Sequence, residues 1–188
     1  MTTMIGIAGS LRRGSYNSAL LRAAVELAPA GCIIDIASIR EFPLYNADLE
    51  AERGIPEAVV ALKARIAAAD GLLLATPEYN SSIPGVFKNA IDWLSRPPAD
   101  LPRVFGGKPV GVIGATPGGW GTVLSQTAWL PVLRYLGMRP FFARSLYVSG
   151  AGKAFDAEGR LADDELRARL RAYLEQLVAF AAQRTPAG

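Results

Sequence analysis

Residues 4–17, MIGIAGSLRRGSYN, decide the fold of this chain. The apolar run Met4-Ile5-Gly6-Ile7-Ala8 predicts a buried β-strand. The nine residues that follow, GSLRRGSYN, are rich in Gly, Ser and Arg and lead into a helical pattern that begins near Ser15. A strand, such a loop and a helix together present free backbone N–H groups and positive charge to an anion. This stretch, loop 1 (residues 9–17), therefore predicts a phosphate site.

The spacing within loop 1 limits the kind of phosphate ligand. Gly9 and Gly14 allow the backbone to bend and to approach a ligand closely, and they have the spacing of the motif G-x-x-x-x-G-K-S/T. Ser15 and Tyr16 stand where that motif needs Lys and Ser/Thr, so a nucleotide kinase is disfavoured. The glycines do not match the dinucleotide motif G-x-G-x-x-G either, and Asp35 is therefore interpreted as an ordinary strand residue. A phosphate monoester is the predicted ligand.

Length and composition predict one compact domain over residues 1–188. Hydrophobic residues make up 51% of the 188 residues, and the net charge is +3 with basic residues spread along the chain. That charge is too weak and too scattered for nucleic-acid binding. The single cysteine, Cys32, lies in an apolar run and is interpreted as a small buried residue. No signal peptide or membrane-length apolar run is apparent, so we expect a cytoplasmic protein with no membrane insertion.

The chain contains no histidine. Ser-His-Asp and Cys-His catalysis are thereby excluded, as are histidine-ligated zinc and iron sites. No paired acids with metal-like spacing stand out, so no metal site and no catalytic side chain are predicted. Difficult chemistry is best assigned to a bound organic cofactor.

Strand and helix patterns alternate along the chain and predict a doubly wound α/β fold with helices on both faces of a parallel sheet. Pro131 falls inside a helix-like run, so that helix is either kinked there or starts near Leu130. The apolar runs that suit buried strands are Met4–Ala8, Cys32–Ile36, Gly71–Ala75, Val110–Ala115 and, more weakly, Pro140–Tyr147.

Three loops have the composition of a ligand site at the carboxyl edge of such a sheet. Loop 1 is the first. Loop 2 (residues 76–82, TPEYNSS) follows the third predicted strand and offers the rigid Pro77 and the aromatic Tyr79. Loop 3 (residues 116–121, TPGGWG) follows the fourth and supplies glycines that let backbone N–H groups approach a ring. A flat heterocycle would suit loops 2 and 3.

Three segments together resemble the NADPH-dependent FMN reductase family, and most closely its quinone- and chromate-reductase branch. They are GSLRRGSYN, PEYNSSIPGVFKNAIDWLSR from Pro77, and GKPVGVIGATPGGWGT from Gly107. The resemblance implies a flavodoxin-like, five-stranded parallel sheet of order 2-1-3-4-5 and a homodimer or homotetramer. It implies hydride transfer from NADPH or NADH to bound FMN, and then two-electron transfer to a quinone, free flavin, azo compound or chromate.

The resemblance also implies the cofactor-binding residues. The FMN phosphate is expected on Ser10, Arg12, Ser15 and Asn17, with Tyr16 beside them. The isoalloxazine ring is expected against loop 2 and loop 3, at Pro77, Glu78, Tyr79, Asn80, Gly118, Gly119 and Gly121. No general acid is assigned among them, since FMN carries the chemistry.

Two further points stay open in the sequence. A flavodoxin-type electron carrier without its own NAD(P)H reaction is the main alternative, although such carriers are usually strongly acidic and this chain is slightly basic. The helix predicted after loop 2 carries more apolar and aromatic residues than one buried face needs. Trp93 is therefore predicted at a subunit interface.

Overall fold

The computed structural model describes residues 1–183, in which strands and helices alternate as predicted. The strand segments are β1 (Thr2–Ala8), β2 (Cys32–Ala37), β3 (Gly71–Ala75), β4 (Pro109–Ala115), β5 (Arg139–Pro140) and β6 (Leu146–Val148). The helices are α1 (Tyr16–Glu26), α2 (Ala47–Arg53), α3 (Glu57–Ala68), α4 (Gly85–Leu94), α5 (Leu101–Val104), α6 (Val123–Tyr135), α7 (Ala151–Ala154) and α8 (Asp164–Ala182), with a 3-10 helix at Pro98–Asp100.

The strands form one parallel sheet of order β2-β1-β3-β4-β5, in which β6 also pairs with β4. This is the flavodoxin-like order 2-1-3-4-5, as predicted. Strand order reverses between β1 and β3, so the carboxyl ends of β1, β3 and β4 adjoin at one edge. Loops 1, 2 and 3 leave the sheet at that edge.

The fifth position in the sheet is occupied by two short segments rather than by one strand over Pro140–Tyr147. β5 pairs with β4 at Pro109 and Val110, and β6 pairs with it farther along, at Ile113–Ala115. The backbone N–H groups of Arg139 and Phe141 donate to the carbonyl oxygens of Lys108 and Val110, both at 2.9 Å. Pro140 stands between them, and its missing N–H is tolerated on a strand at the edge of the sheet. The chain then leaves the sheet at Phe141, whose ring packs edge-on against Tyr173, with 5.2 Å between the ring centroids.

Helices cover both faces of the sheet, because successive side chains of the buried strands point to opposite sides. Met4 and Leu73 belong to the core that packs against α1 and α8. Ile5 and Leu72 belong to the core on the other face, which packs against α3, α4 and α6. No helix within residues 1–183 is long and apolar enough to cross a membrane.

Helix α6 begins at Val123 and runs through Pro131, so of the two alternatives the late start near Leu130 is wrong. The prediction that Trp93 lies at a subunit interface is also wrong. Its side chain is 0% exposed within this single chain. The indole Nε1 donates to the carbonyl oxygen of Pro43 at 2.9 Å, which anchors the segment between β2 and α2 on α4.

Asp35 of β2 behaves as the sequence predicts, whereas Cys32 is less buried than predicted. The Asp35 carboxylate pairs with Arg65 of α3 at 2.8 Å, so it serves as an ordinary strand residue. Cys32 is partly buried, and burial raises the pKa of its thiol, with the nearby charge of Asp70 acting in the same direction. A raised pKa means fewer thiolates at neutral pH and fits an unreactive cysteine.

Gly9 has a packing role that its position in loop 1 does not suggest. A Cβ atom at this residue would lie 2.1 Å from Cδ1 of Phe87, whose ring is fully buried in α4. The absence of a side chain therefore lets α4 approach the end of β1. Backbone approach to a ligand is not needed to explain this glycine.

We expect Gly9→Ala to lower the free energy of unfolding by about 1–3 kcal/mol, because the added methyl group overpacks the contact with Phe87. Denaturant unfolding followed by circular dichroism measures the change. Gly85→Ala is the matched control, since nothing lies within 4 Å of its added Cβ. Equal stabilities of Gly9→Ala and the unsubstituted protein would show that the contact is not tight.

Candidate functional site

The three loops enclose a cleft of about 480 Å³ at the carboxyl edge of the sheet. Among residues 1–183, the charged groups that line it are Arg12 and Glu78. The wall is made by Ser10, Arg12, Tyr16 and Asn17 of loop 1, Pro77, Glu78 and Tyr79 of loop 2, and Ala115, Thr116 and Pro117 at the end of β4 and the start of loop 3. The cleft thus lies where ligands bind in open α/β sheets.

Loop 1 presents several polar groups, some of which have no partner within residues 1–183. Ser15 is the N-cap of α1, and its Oγ accepts from the backbone N–H of Ser18 at 3.2 Å. The backbone N–H groups of Tyr16 and Asn17 lie in the first turn of α1 and have no acceptor within the helix. The hydroxyl of Ser10 is buried and has no hydrogen-bond partner in the structure.

A buried hydroxyl without a partner is costly unless a ligand satisfies it. Ser10 lines the cleft beside the free N–H groups and the partial positive charge of the α1 N-terminus. The donors of loop 1 therefore fit an anionic group such as a phosphate monoester.

Arg12 supplies the positive charge of the cleft. Its guanidinium lies over the ring of Tyr16, 4.9 Å from the ring centroid. The other neighbour of Tyr16 is Phe155, stacked on it with 5.8 Å between the centroids. The resulting stack orients an exposed cation without using a carboxylate, so its charge stays available to a ligand.

Asn17 ties α1 to β4. Its Nδ2 donates to the carbonyl oxygen of Ala115 and its Oδ1 accepts from the N–H of the same residue, both at 2.9 Å. The side chain is therefore held in a buried two-point contact, which leaves one Nδ2 hydrogen and the backbone N–H for a ligand. This contact places the α1 N-terminus beside the start of loop 3.

Loop 2 folds back on itself in a tight turn. Tyr79 and Ser82 exchange two backbone hydrogen bonds of 3.2 and 3.0 Å across Asn80 and Ser81. Both central residues have positive φ, 49° and 60°, a conformation typical of two-residue hairpins. The turn leaves Tyr79 47% exposed at the mouth of the cleft, and Asn80 at its tip does not line the cleft.

Helix α6 anchors the base of loop 2. The Glu78 carboxylate accepts from the backbone N–H of Ser125 at 3.0 Å, in the first turn of α6. The Thr76 and Ser125 hydroxyls bond at 2.9 Å, and Trp129 Nε1 donates to the Thr76 hydroxyl at 3.1 Å. These bonds are buried or half-buried, so Pro77 is held rigidly against the cleft.

The glycines of loop 3 lie outside the cleft wall. Gly118 accepts at its carbonyl oxygen from Gly150 at 3.1 Å, and a Cβ on Gly119 would meet nothing within 4 Å. Gly121 has a φ of +63°, and its Cβ would lie 2.9 Å from Cβ of Tyr147. Turn geometry and close packing against β6 explain Gly121 without a ligand.

Of the residues singled out in the sequence, the cleft is lined by Ser10, Arg12, Tyr16, Asn17, Pro77, Glu78 and Tyr79. Ser15, Asn80, Gly118, Gly119 and Gly121 are not on its wall. The cleft is also lined by Ala115, Thr116 and Pro117, which were not among the predicted site residues. These residues could have been predicted, since β4 was expected to end at Ala115, at the same edge of the sheet as the strands that precede loops 1 and 2.

The geometry agrees with comparisons to known proteins. Residues 2–153 match the NADPH-dependent FMN reductase family. An NAD(P)H-dependent FMN reductase of Pseudomonas aeruginosa is 47% identical over 93% of this chain and 92% of its own length. A 2-hydroxy-1,4-benzoquinone reductase of a Burkholderia species is 38% identical, with 95% of each chain covered. FerB of Paracoccus denitrificans, a flavoenzyme NAD(P)H:(acceptor) oxidoreductase of known structure, superposes with a TM-score of 0.85 at 34% identity, covering 96% of this chain and 97% of its own.

The chain therefore belongs to the NADPH-dependent FMN reductase family. It is an oxidoreductase whose cofactors are FMN and NAD(P)H. Membership decides between the two alternatives left by the sequence in favour of the enzyme over the electron carrier.

We expect Asn17→Ala to lower the free energy of unfolding by about 1–3 kcal/mol, because it leaves the buried N–H and C=O of Ala115 without partners. Thermal and urea unfolding measure the loss. Ser18→Ala, at the neighbouring position of α1, is the control because its partly buried side chain makes no such bonds to β4. An Asn17→Ala protein as stable as this control would contradict the proposed link between α1 and β4.

Proposed function

We propose that this enzyme binds FMN in the cleft between the three loops and reduces quinones with NAD(P)H. The observation that carries the proposal is the buried hydroxyl of Ser10, which has no partner within residues 1–183 and lies in a cleft next to Arg12 and the α1 N-terminus. The relatives named quinone reductase and 2-hydroxy-1,4-benzoquinone reductase support a quinone as the acceptor.

In this proposal loop 1 holds the FMN phosphate. The Ser10 hydroxyl and the backbone N–H groups of Tyr16 and Asn17 donate to the phosphate oxygens, and Arg12 supplies the opposite charge. Ser15 acts indirectly, since its hydroxyl caps α1 and orients the first turn. The side chain of Asn17 positions the loop against β4 rather than contacting the ligand.

Loops 2 and 3 receive the isoalloxazine ring. Pro77 and Tyr79 offer rigid apolar and aromatic surface on one side, and Thr116 and Pro117 lie at the start of loop 3 on the other. Glu78 keeps loop 2 in place through α6, because its carboxylate is held by the Ser125 N–H. Asn80, Gly118, Gly119 and Gly121 shape the two loops in this proposal.

When bound, FMN supplies the redox chemistry, taking up a hydride from NAD(P)H and returning two electrons to the acceptor. The protein orients both partners and keeps the ring accessible at the mouth of the cleft, where Tyr79 is partly exposed. A quinone would leave as the hydroquinone after receiving the two electrons and one proton of the hydride, together with a second proton from solvent. We further propose that free flavin, azo compounds and chromate can serve as electron acceptors. We also propose that the protein forms a homodimer or homotetramer and is located in the cytoplasm.

Anaerobic titration of the FMN-loaded protein tests this function. NADPH or NADH should bleach the flavin absorption band, and a benzoquinone added afterwards should restore it. A flavin that binds but is bleached by neither nucleotide would contradict the reductase mechanism. Protein that binds no FMN at all would contradict the assignment of the cleft.

We expect Arg12→Ala to weaken FMN binding by about 10- to 100-fold, or ~1.5–3 kcal/mol, because a charge-assisted contact to the phosphate is lost. Fluorescence titration of the apoprotein with FMN gives the Kd. Arg134→Ala, an exposed arginine near the end of α6 and away from the cleft, is the matched control. An unchanged Kd for Arg12→Ala would refute the role of Arg12.

A further inference from the structure

Loop 1 is tied to the rest of the fold at its two ends and at one point between them. At its start the N–H of Gly9 donates to the last residue of β3 at 2.9 Å, and near its end Ser15 caps α1. Within residues 1–183, one hydrogen bond joins residues 10–14 to a part of the chain outside loop 1. In this bond, Nη2 of Arg40 donates to the carbonyl oxygen of Leu11.

The backbone of Arg40 is held in a turn that follows β2. The preceding residue, Ile39, is only 4% exposed, and its carbonyl oxygen accepts from the N–H of Phe42 at 3.3 Å. The N–H of Arg40 donates to the Ser38 hydroxyl at 3.2 Å. No carboxylate within residues 1–183 forms an ion pair with Arg40. The guanidinium therefore extends from a fixed point, and no acid competes with Leu11 for it.

The bond lies on the side of loop 1 that faces away from the FMN cleft. Leu11 and Arg40 line the groove between α1 and the end of β2, and neither of them lines the cleft. Ser10 and Arg12, the two neighbours of Leu11 in the chain, do line the cleft. Arg40 therefore holds the backbone between these two residues from outside the cleft.

The direction of the Leu11 carbonyl group matters for a bound anion. A carbonyl oxygen carries partial negative charge and would repel a phosphate if this peptide group turned inward. In a planar trans peptide group, the C=O of one residue and the N–H of the next point in opposite directions. When the Leu11 oxygen faces Arg40, the N–H of Arg12 points away from Arg40. Backbone N–H groups that converge in this way form an anion site.

We propose that Arg40 is a positioning residue for the FMN phosphate. Its bond to Leu11 keeps the carbonyl oxygen of that residue out of the cleft, turns the N–H of Arg12 toward the phosphate, and fixes Ser10 and Arg12 at the cleft wall. Arg40 does not contact the phosphate itself, because it does not line the cleft. The proposal rests on the function above, in which loop 1 binds the FMN phosphate.

Titration of the apoproteins with FMN and with riboflavin tests this role, because the two ligands share the ring and differ in the phosphate. Arg40→Met removes the donor and keeps most of the aliphatic side chain. It should weaken FMN binding about tenfold and leave the Kd for riboflavin unchanged. Arg40→Lys retains a donor and the charge, and it should recover most of the lost affinity. Quenching of flavin fluorescence gives each Kd.

Arg22→Met is the matched control. Arg22 is also exposed, and its Nη2 donates to a backbone carbonyl oxygen outside loop 1, that of Gly159, at 3.5 Å. This variant should bind both ligands as the unsubstituted protein does. The same titrations in about 1 M sodium chloride test for a long-range effect of charge, since salt screens exposed charges. The ratio of the FMN Kd values of Arg40→Met and the unsubstituted protein should persist there, because it follows from the geometry of loop 1.

Several results would overturn the proposal. Unchanged FMN binding in Arg40→Met would show that the bond to Leu11 has no influence on the phosphate. An equal loss of affinity for FMN and riboflavin would show a general loss of the cleft. A loss that high salt abolishes, or that Arg22→Met shares, would show a long-range effect of charge. If the unsubstituted protein bound FMN and riboflavin equally, the proposed phosphate site itself would be refuted, and this role of Arg40 with it.

Discussion

The two hydrogen bonds between the Asn17 side chain and the Ala115 backbone are the contact on which the site depends. They join the first turn of α1 to the last residue of β4, across the point where strand order reverses. Since the amide meets both backbone groups of Ala115, neither can turn toward a ligand or water. The donors of loop 1 and the start of loop 3 are thereby held in one fixed relation before any ligand binds.

Loop 2 is held by a separate set of bonds, from Thr76 and Glu78 to α6. The cleft is therefore preorganised from two directions, with the polar groups of loop 1 and the α1 N-terminus on one side and a loop fixed by α6 on the other. Preorganisation lowers the entropy lost on binding and points the donors toward the position of the ligand's negative charge. A chain without histidine can support redox chemistry in this way, because it needs to bind and orient a cofactor rather than transfer protons itself.

Local patterns in the sequence predicted most of the fold and part of the site. Loop 1 was predictable because its signals are local. The 14 residues 4–17 contain the apolar strand, the loop and the start of the helix that Ser15 caps. Contacts between distant residues were not predictable from such patterns. They explain why Trp93 is buried against Pro43, why Gly9 must accommodate Phe87, and why the glycines of loop 3 lie off the cleft wall.

We propose that loop 1 is a phosphate site and that this site selects FMN. The most direct measurement compares the Kd values of the apoprotein for FMN and for riboflavin, which has the same ring and no phosphate. FMN should bind at least about 100-fold more tightly, since several charge-assisted contacts depend on the phosphate. Equal affinities would show that loop 1 does not bind the phosphate and would contradict the account.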